Sequence, residues 1–555
     1  MLVEALVDRL KPQLYTIYGG LVEEEQQQEW LQRFLVTLGL SPEQTGPKAH
    51  RNIWSEKDVA LITYGDSILS EGEAPLQVLG DFMSAYLKSV ISWVHILPFH
   101  PWTSDDGFAV MDYSSVNEAL GDWSDITSLS QRYKVMADVV LNHCSSRSAW
   151  FENFRQGLNP GADYFFVPEQ NFDTSKVVRP RTSSLLMPVE TANGERSVWC
   201  TFSADQVDFD FRNPAVLNEF LGIIRQQLDA GVRIFRLDAV AFVWKASGTT
   251  CVNQPQTHAI VRLLRTMIEC AAPDAVLITE TNLPNRENLS YFGNANQAHA
   301  VYNFSLPPLL LDCLLSGNSR YLSQWMMSMP PAQDGTTYFN FIASHDGIGL
   351  RPAEGLLSEA EIDRLIDTTT SFGGLVSYRE TGGKRKPYEI NIALRDALAG
   401  TYEGVDDLGI QRFLCAHAVM LGLEGIPAFY IHSLLGTRND HERVEHTGRN
   451  RSINRHQWAL DELEKVLDDP DSEHSTVIRQ LSALIALRQQ QRAFHPNATQ
   501  FTLRLATELF GFWRQSQDRR QSIFCVYNVS SKPQTLKLSE LNLILTDEWY
   551  DLVSG

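Results

Sequence analysis

An arginine and an aspartate, Arg236 and Asp238, stand two residues apart at the end of an apolar run. The run, residues 231–238, predicts a short strand, and side chains two positions apart on a strand point to the same side. A buried carboxylate needs a cation to stay ionised, so Asp238 beside Arg236 is a candidate nucleophile. Taken alone, however, the pair is better explained as a structural ion pair at the end of a core strand.

Three further apolar runs end in residues that can act in catalysis. The runs are residues 135–143, 275–282 and 338–347, and the polar residues at their ends are Asn142, His143, Glu280, His345 and Asp346. Each run is too short for a helix, and helical patterns such as 214–228 and 257–271 lie between several of them. This alternation predicts parallel strands. In an eight-stranded barrel, the carboxyl ends of such strands meet on one face, so these polar groups are expected to converge.

These strand ends resemble the four signature regions of the α-amylase superfamily. The matching segments are 138–143, 236–240, Glu280 with its preceding strand, and His345 with Asp346. Other segments are similar to the sucrose phosphorylase branch of this superfamily, within glycoside hydrolase family 13. They are residues 61–64, 95–99, 179–181, 206–208, 304–310, 345–349 and 453–455. The resemblance covers nearly all of the chain from Val59 onward and implies a (β/α)8 TIM-barrel enzyme that acts on α-glucosides.

Three carboxylates are the candidates for catalysis. Retaining glycosyl transfer requires one carboxylate as nucleophile and a second as acid and then base, about 5 Å away across the scissile bond. Asp238 is the predicted nucleophile, which would form a β-glucosyl ester, and Arg236 would keep it ionised. Glu280 is the predicted acid and base, so burial and anionic neighbours are expected to raise its pKa. Asp346 would hold sugar hydroxyl groups.

The resemblance also implies a pocket for the glucosyl unit. Asp105 and Arg451 match a pair that would close around the distant hydroxyl groups of glucose, with Asp106 as an alternative to Asp105. His143 and His345 would donate hydrogen bonds to the sugar ring and favour an oxocarbenium-like geometry. A purely structural role fits either histidine about as well.

Two phenylalanines would form apolar walls of this pocket. Phe202 matches a position beside the anomeric carbon, where an aromatic face can stabilise developing positive charge. Phe108 would cover another side of the sugar. Packing in the hydrophobic core explains both residues at least equally well.

Cations near the acid and base would separate a phosphorylase from a hydrolase. Phosphate is a dianion, and the chain has a formal net charge of −20, so its basic clusters stand out. The clusters are residues 179–181 and 384–386, although charged loop segments are usually solvated surface. In the family, the matching loops flank the acceptor site and alternate between phosphate and acceptor binding. The predicted phosphate- and acceptor-binding residues are Arg179, Arg181, Tyr388, Glu389 and Asn391.

Two features distinguish this chain within the branch. It begins with a segment, residues 1–58, that ordinary sucrose phosphorylases lack, and Glu389 follows Tyr388 where sucrose-type enzymes have Gln. Both features resemble the glucosylglycerate phosphorylases, which reversibly convert 2-O-α-D-glucosyl-D-glycerate and phosphate into α-D-glucose 1-phosphate and D-glycerate. This phosphorolysis, by double displacement, is the predicted function. Sucrose phosphorylase, sucrose 6′-phosphate phosphorylase and glucosylglycerol phosphorylase are alternatives, because phosphate alone accounts for some of the cations.

Two other classes of function share much of this pattern. A hydrolase or transglucosidase would keep all three carboxylates and differ only in the acceptor loops. A non-catalytic carbohydrate-binding homologue would keep the pocket but lose the nucleophile or the acid. Asp238, Glu280 and Asp346 are all present, which favours an enzyme.

Breaks in the periodicity divide the chain into seven segments. They are a helical extension (1–58), the first part of the barrel (59–143), an inserted subdomain (144–213), the middle of the barrel (214–346), a second inserted subdomain with the acceptor loop (347–407), the last part of the barrel (408–492) and a small C-terminal β domain (493–555). Strands are expected in this last domain at 509–514, 522–528 and 534–538. Compared with the family the domain is short or truncated. The predicted fold class is α/β, a TIM barrel with these additions.

Composition argues against several other classes. No apolar run reaches bilayer length, and residues 1–14 lack the apolar core of a signal peptide, which predicts a cytoplasmic protein. The cysteines, seven in number and without CxxC spacing, predict reduced thiols and no metal site. The acidic balance argues against nucleic acid, and no phosphate loop or dinucleotide fingerprint predicts a cofactor. The expected partners are small molecules, namely an α-glucoside, phosphate and glucose 1-phosphate, bound to a monomer or homodimer.

Overall fold

The computed structural model describes residues 5–181, 183–381, 384–541 and 549–554. Eight parallel strands close into a barrel. They are β1 (Ala60–Thr63), β2 (Trp93–Ile96), β3 (Lys134–Val140), β4 (Ile234–Asp238), β5 (Val276–Thr279), β6 (Ala300–Tyr302), β7 (Thr337–Phe341) and β8 (Ile426–Tyr430). Each strand pairs with its neighbours in chain order, and β8 pairs with β1 to close the ring. The prediction of a (β/α)8 barrel is confirmed.

The barrel strands are almost completely buried, because helices cover the outside and side chains fill the inside. Every position of β1, β4 and β7 is buried, which explains why their sequences are nearly continuous apolar runs. The polar exceptions are aligned by the strand register. Asp138 on β3 lies opposite Arg236 on β4, and Val140 lies opposite Asp238. The register therefore gathers charged side chains of two strands inside an otherwise apolar barrel.

Helices follow the barrel strands and form the outer layer. They are Pro75–Phe82 with the π-helix Met83–Leu87, Trp123–Ser130, Pro214–Asp229, Pro255–Ala271, Asn285–Leu289, Leu306–Ser316, Arg320–Ser328, Gly409–Gly422 and Glu473–Gln489. The helix after β3 shows how the sequence sets a boundary. Asn213 accepts a hydrogen bond from the Ala215 N–H, and Pro214 occupies the first turn, where its missing N–H costs nothing.

Two insertions begin at the carboxyl ends of barrel strands and so lie over the same face. The first, after β3, contains the helix Ala149–Gln156, the paired strands His143–Ser145 and Gln206–Asp208, and the hairpin Leu186–Thr191 and Gly194–Trp199. The second, after β7, contains the helix Glu359–Ser371 and a three-stranded antiparallel sheet of Ile348–Gly349, Lys384–Asn391 and Leu375–Thr381. Lys384–Asn391 is the central strand of this sheet, so its backbone is paired with a neighbouring strand on each edge.

Shorter elements complete the described part of the barrel domain. The α-helices are Leu394–Ala397, Ile431–Leu434, His441–Thr447 and Leu460–Asp468. The 3-10 helices are Asp105–Gly107, Val240–Phe242, Ser290–Phe292, Arg351–Ala353, Asn450–Asn454 and Arg492–Phe494. The short strand pairs are Ile68–Leu69 with Trp458–Ala459, and Gly400–Thr401 with Gly404–Val405.

Two helices precede the barrel and pack on its outer layer. They are Leu6–Tyr18 and Glu24–Leu38. Thr37 Oγ1 donates to Asn218 Oδ1 at 2.9 Å, and Arg262 Nε donates to Gln13 Oε1 at 3.0 Å. Asn218 and Arg262 belong to the helices that follow β3 and β4, so the N-terminal helices cover the side of the barrel rather than its active face.

The C-terminal sheet differs from the predicted one. Its three strands are Thr499–Thr502, Leu509–Gln515 and Ser522–Asn528, in antiparallel order. The strand predicted at 534–538 is wrong, because residues 534–537 have no regular structure and a 3-10 helix, Leu538–Leu541, follows. The alternation of polar and apolar residues there is typical of a strand, but a strand also needs a neighbour to pair with. Thr499–Thr502, which the sequence did not reveal, pairs with Leu509–Gln515.

Candidate active site

A cavity of about 710 Å³, mouth included, opens at the carboxyl ends of the barrel strands. Most of the predicted site residues line it, namely Asp105, Phe108, His143, Arg181, Phe202, Arg236, Asp238, Glu280, His345, Asp346, Tyr388 and Arg451. The structure therefore brings together residues that are up to 346 positions apart in sequence, from Asp105 to Arg451.

Three predicted acceptor-site residues do not line this cavity. Glu389 is only 2% exposed and lies behind Arg451. Asn391 is buried and donates to Ser377 Oγ at 2.9 Å, while Arg179 Nη2 donates to Ser183 Oγ at 3.4 Å. The register of the Lys384–Asn391 strand shifts between Pro387 and Glu389, which leaves Tyr388 as the extra residue of a bulge, and the Glu389 carboxylate faces Arg451.

A chain of ion pairs holds Asp238 in place. Arg236 Nη1 donates to Asp238 Oδ1 at 2.7 Å and also to Asp138, and Asp138 Oδ2 lies 2.7 Å from His95 Nε2. All four side chains are buried. Since a guanidinium bridges two carboxylates, each of which is fixed on a neighbouring strand, the Asp238 carboxylate has little freedom to rotate.

Ala239, the residue after Asp238, links that aspartate to Glu280. Its φ of 51° is in the left-handed region, which costs a residue with a Cβ about 1 kcal/mol or more. This turn directs the Ala239 N–H to Glu280 Oε2 at 3.1 Å. The strained backbone thus places the two carboxylates on adjoining parts of one wall, and the bond that it directs to Glu280 is to Oε2 and not to Oε1.

Burial raises the pKa of both Asp238 and Glu280. The charge of Arg236 lowers both pKa values and so opposes the effect of burial. The charge of Asp138 raises both pKa values, and that of Asp346 raises the pKa of Glu280. Of the pair, Asp238 alone contacts Arg236, at 2.7 Å. This contact favours the negative charge on Asp238 and a shared proton on Glu280. A raised pKa for Glu280 is the direction that the sequence predicts.

Asp346 is held ionised by arginines. Although burial raises its pKa, the charges of Arg451 and Arg455 outweigh burial and lower it. Arg451 Nη1 contacts Asp346 Oδ1 directly, and Arg455 Nη2 lies 3.9 Å away. His345 Nε2 is 3.6 Å from the same oxygen, and burial lowers the pKa of His345 to about 3, so the imidazole is neutral. Asp346 thus remains an acceptor for hydroxyl groups.

Glu389 positions Arg451 from behind. Arg451 donates in a bidentate manner to Glu389, through Nε at 2.9 Å and Nη2 at 2.8 Å. Glu389 and Asp346 therefore clamp one guanidinium between them. This geometry assigns Glu389 to the support of the glucose pocket and not to its surface.

Glu389→Gln is expected to lower the free energy of unfolding by about 1–3 kcal/mol, because a buried charge-assisted pair is lost while the shape is kept. The expected kinetic effect is a higher KM for glucose 1-phosphate, since Arg451 loses its support. Thermal unfolding and initial rates measure the two effects. The matched change at the exposed Glu403, Glu403→Gln, should alter neither quantity, and an unaltered KM in Glu389→Gln would contradict the positioning role.

Asp105, and not Asp106, faces the cavity. Asp106 is paired with Arg449 at 3.0 Å and with Arg455, whereas Asp105 Oδ2 accepts from Gln206 Nε2 at 3.1 Å. Both aspartates have left-handed φ values, 55° and 49°. Two successive non-glycine residues in this region form a strained turn, and such strain is common at binding sites.

Asp205 anchors this turn to the first insertion. It accepts hydrogen bonds from four hydroxyl groups, the closest being those of Thr103 and Ser104 at 2.5 Å and Ser146 at 2.7 Å. Ser145 Oγ lies farther away, at 3.4 Å. Because Thr103 and Ser104 directly precede Asp105, the anchor determines where the Asp105 carboxylate lies.

Aromatic rings and imidazoles form the remaining walls. The Phe108 ring stacks on His345 with centroids 5.3 Å apart and an interplanar angle of 9°, and Phe202 lies 5.0 Å from His143. His143 Nδ1 accepts from Asn142 Nδ2, so its Nε2 carries the hydrogen and donates to the Phe108 carbonyl at 3.0 Å. These contacts hold Phe108 and Phe202 in place beside the two histidines of the cavity.

The cavity includes residues that were not predicted as site residues. They are Pro180, Gln206, Ala239, Phe242, Thr281, Asn282 and Arg351. Pro180 and Gln206 lie in segments that carry the family resemblance, and Thr281 and Asn282 follow β5. The sequence therefore contained a signal for these four residues. The sequence contained no such signal for Arg351, because this residue lies in the loop region after Asp346 and not at the end of a barrel strand.

The second basic cluster lies outside the cavity. The side chain of Lys384 is beyond the described residues. Arg385 is exposed and stacks on the Tyr378 ring at 4.0 Å, and the Lys386 Nζ is 3.9 Å from Glu359. The hairpin therefore contributes Tyr388, not this cluster, to the cavity wall.

Comparisons with known proteins agree with this geometry. The family model "Alpha amylase, catalytic domain" matches residues 85–346. A glucosylglycerate phosphorylase of Spirochaeta thermophila is 44% identical, with 85% of this chain and 80% of the relative covered, and one of Escherichia coli is 40% identical, with 95% and 93% covered. The crystal structure of a sucrose 6F-phosphate phosphorylase from Thermoanaerobacter thermosaccharolyticum superposes with a TM-score of 0.73 at 26% identity, over 85% of this chain and 94% of that one. The chain therefore belongs to the α-amylase family and, within it, to the group of the glucosylglycerate phosphorylases.

Proposed function

We propose that this protein is a retaining glycoside phosphorylase that interconverts 2-O-α-D-glucosyl-D-glycerate and phosphate with α-D-glucose 1-phosphate and D-glycerate. The observation that carries the proposal is the composition of the cavity. It combines two buried carboxylates, Asp238 and Glu280, with two arginines, Arg181 and Arg351, that have no carboxylate partner among the described residues. Membership of the glucosylglycerate phosphorylase group supports the choice of glycerate.

In the first half of the reaction, Glu280 donates its proton to the glycosidic oxygen while Asp238 attacks the anomeric carbon. Glycerate leaves with the proton, and a β-glucosyl ester of Asp238 forms. Asp346 accepts hydrogen bonds from glucosyl hydroxyl groups, and Asp105 and Arg451 hold the far side of the sugar. The developing positive charge at the anomeric carbon lies beside Phe202.

In the second half, hydrogen phosphate attacks the same carbon and breaks the ester bond. Its hydroxyl proton passes to the Glu280 carboxylate, which restores the acid, and Asp238 leaves as a carboxylate. Two inversions give net retention, so the product is the α-anomer. Each step needs only residues that line the cavity.

An acceptor panel tests the function. With α-D-glucose 1-phosphate as donor, D-glycerate should release phosphate at a rate well above that with fructose, fructose 6-phosphate or glycerol. Phosphate release without an acceptor would identify a hydrolase. Release with fructose or fructose 6-phosphate alone would replace the glycerate proposal by a sucrose or sucrose 6′-phosphate phosphorylase.

We also propose a cytoplasmic location. All seven cysteines are free thiols, and six of them are buried, which suits a reducing compartment. Among the described helices, none combines the length and the apolar character needed to cross a membrane. Fractionation of cells that produce the tagged protein would test the compartment.

A further inference from the structure

Four arginines line the cavity, and they divide into two kinds. Arg236 contacts Asp138 and Asp238, and Arg451 contacts Asp346 and Glu389, so each is neutralised. Those two arginines are therefore committed to the carboxylates on the sugar side.

Arg181 and Arg351 are of the other kind. Within the described ranges of the chain, neither guanidinium has a carboxylate within 4.0 Å. Arg181 instead lies over the rings of Phe202 and Tyr388, at 6.0 and 5.6 Å. An uncompensated guanidinium in a partly buried cavity favours an anion there.

The Arg351 backbone is fixed beside Tyr388. Leu350 N–H donates to the Tyr388 carbonyl at 3.0 Å, and Ser305 Oγ donates to the Pro352 carbonyl at 3.0 Å. The short 3-10 helix Arg351–Ala353 is thus pinned from both ends. Since Arg181 stacks on Tyr388, this tyrosine links the two unpaired arginines.

A second cation, Arg379, lies near Arg351. Burial lowers the pKa of Arg351 and Arg379 lowers it further, while Tyr388, Glu287 and Glu354 oppose the shift. The partner of Arg379 is Glu354, which is exposed, and Arg379 Nε has no hydrogen-bond partner among the described atoms. An anion bound beside Arg351 would offset the repulsion between these two arginines.

We infer that Arg351 and Arg181 form one anion clamp, which binds phosphate in phosphorolysis and the carboxylate of the acceptor in the reverse reaction. The acceptor half of this inference rests on the proposed function. Both arginines offer forked donors, and phosphate and carboxylate oxygens both match that fork. The two anions cannot occupy the clamp together, so one site serves both directions.

Arg351→Gln tests the clamp with a pair of acceptors that differ by one carboxylate. With α-glucosyl fluoride as a donor that carries no phosphate, we expect kcat/KM for D-glycerate relative to glycerol to fall roughly 10- to 100-fold, which is the usual loss for a charge-assisted hydrogen bond. The KM for phosphate should rise by a similar factor. Arg351→Lys should recover part of both losses, and the exposed Arg385, changed to Gln, should leave the ratio unaltered.

Equal losses for glycerate and glycerol would show a structural role for Arg351 and overturn the inference, as would an unchanged KM for phosphate. Thermal unfolding of each variant identifies a failure to fold, and Arg351→Lys then supplies the same ratios. If the wild-type enzyme does not use D-glycerate, the proposed function fails, and the phosphate measurement alone still decides on the clamp.

Discussion

Replacing Asp238 by alanine is expected to lower turnover of α-D-glucose 1-phosphate with D-glycerate by at least about 10⁴-fold. Asp238 is the carboxylate that Arg236 holds at 2.7 Å, and alanine has no atom that can attack the anomeric carbon. Arg236 keeps Asp138 as its partner, so the guanidinium stays paired and the barrel should still fold. Initial rates of phosphate release and thermal unfolding measure the two properties.

Rescue by azide distinguishes a missing nucleophile from a distorted pocket. In Asp238→Ala, azide can enter the space of the lost carboxylate and attack α-glucosyl fluoride, which gives β-glucosyl azide after one inversion. A distorted pocket would give no azide product. Asp363→Ala, a change at an exposed carboxylate of the second insertion, serves as the control and should retain wild-type turnover. Wild-type turnover in Asp238→Ala itself would contradict its role.

The sequence predicted the barrel and the sugar side of the site because both are encoded locally. Each strand is a short apolar run, and each reactive group, such as Asp238 or His345, directly follows or ends one. In a barrel of parallel strands the carboxyl ends share a face, so topology alone brings such groups together. No knowledge of loop conformation is needed for this step.

The acceptor side was less predictable because loops form it. Glu389 is next to Tyr388 in sequence, but its carboxylate pairs with Arg451 behind the cavity, and the bulge at Tyr388 that allows this has no signal in the sequence. Arg351 lines the cavity because the loop after Asp346 folds back over it, and no pattern in the sequence predicts this position. The sequence of a basic cluster also does not show which residues it contacts in the folded protein. Arg385, for example, stacks on Tyr378 outside the site.

Glu280→Gln is expected to lower turnover of 2-O-α-D-glucosyl-D-glycerate with phosphate by roughly 10²- to 10⁴-fold, the usual contribution of a general acid. Fluoride leaves without a proton, so α-glucosyl fluoride should still glucosylate Asp238 in this variant. The next step needs a base when water or glycerate attacks, and glutamine cannot serve as one. A burst of fluoride release and a glucosyl adduct on the intact protein should therefore appear. Azide needs no base and should release α-glucosyl azide, the opposite anomer from that expected for Asp238→Ala.

The pH profile gives an independent test of the same assignment. Because burial raises the pKa of Glu280, the wild-type kcat/KM for the glycerate glucoside should fall on the alkaline side at a higher pH than an ordinary glutamic acid would set. On the acidic side it should fall as Asp238 gains a proton. The two apparent values belong to the coupled pair. In Glu280→Gln, the fluoride burst should keep the acidic limb and show no alkaline one, since the group that loses its proton there is gone. A wild-type alkaline limb that persists unchanged in this variant would assign the acid to another residue.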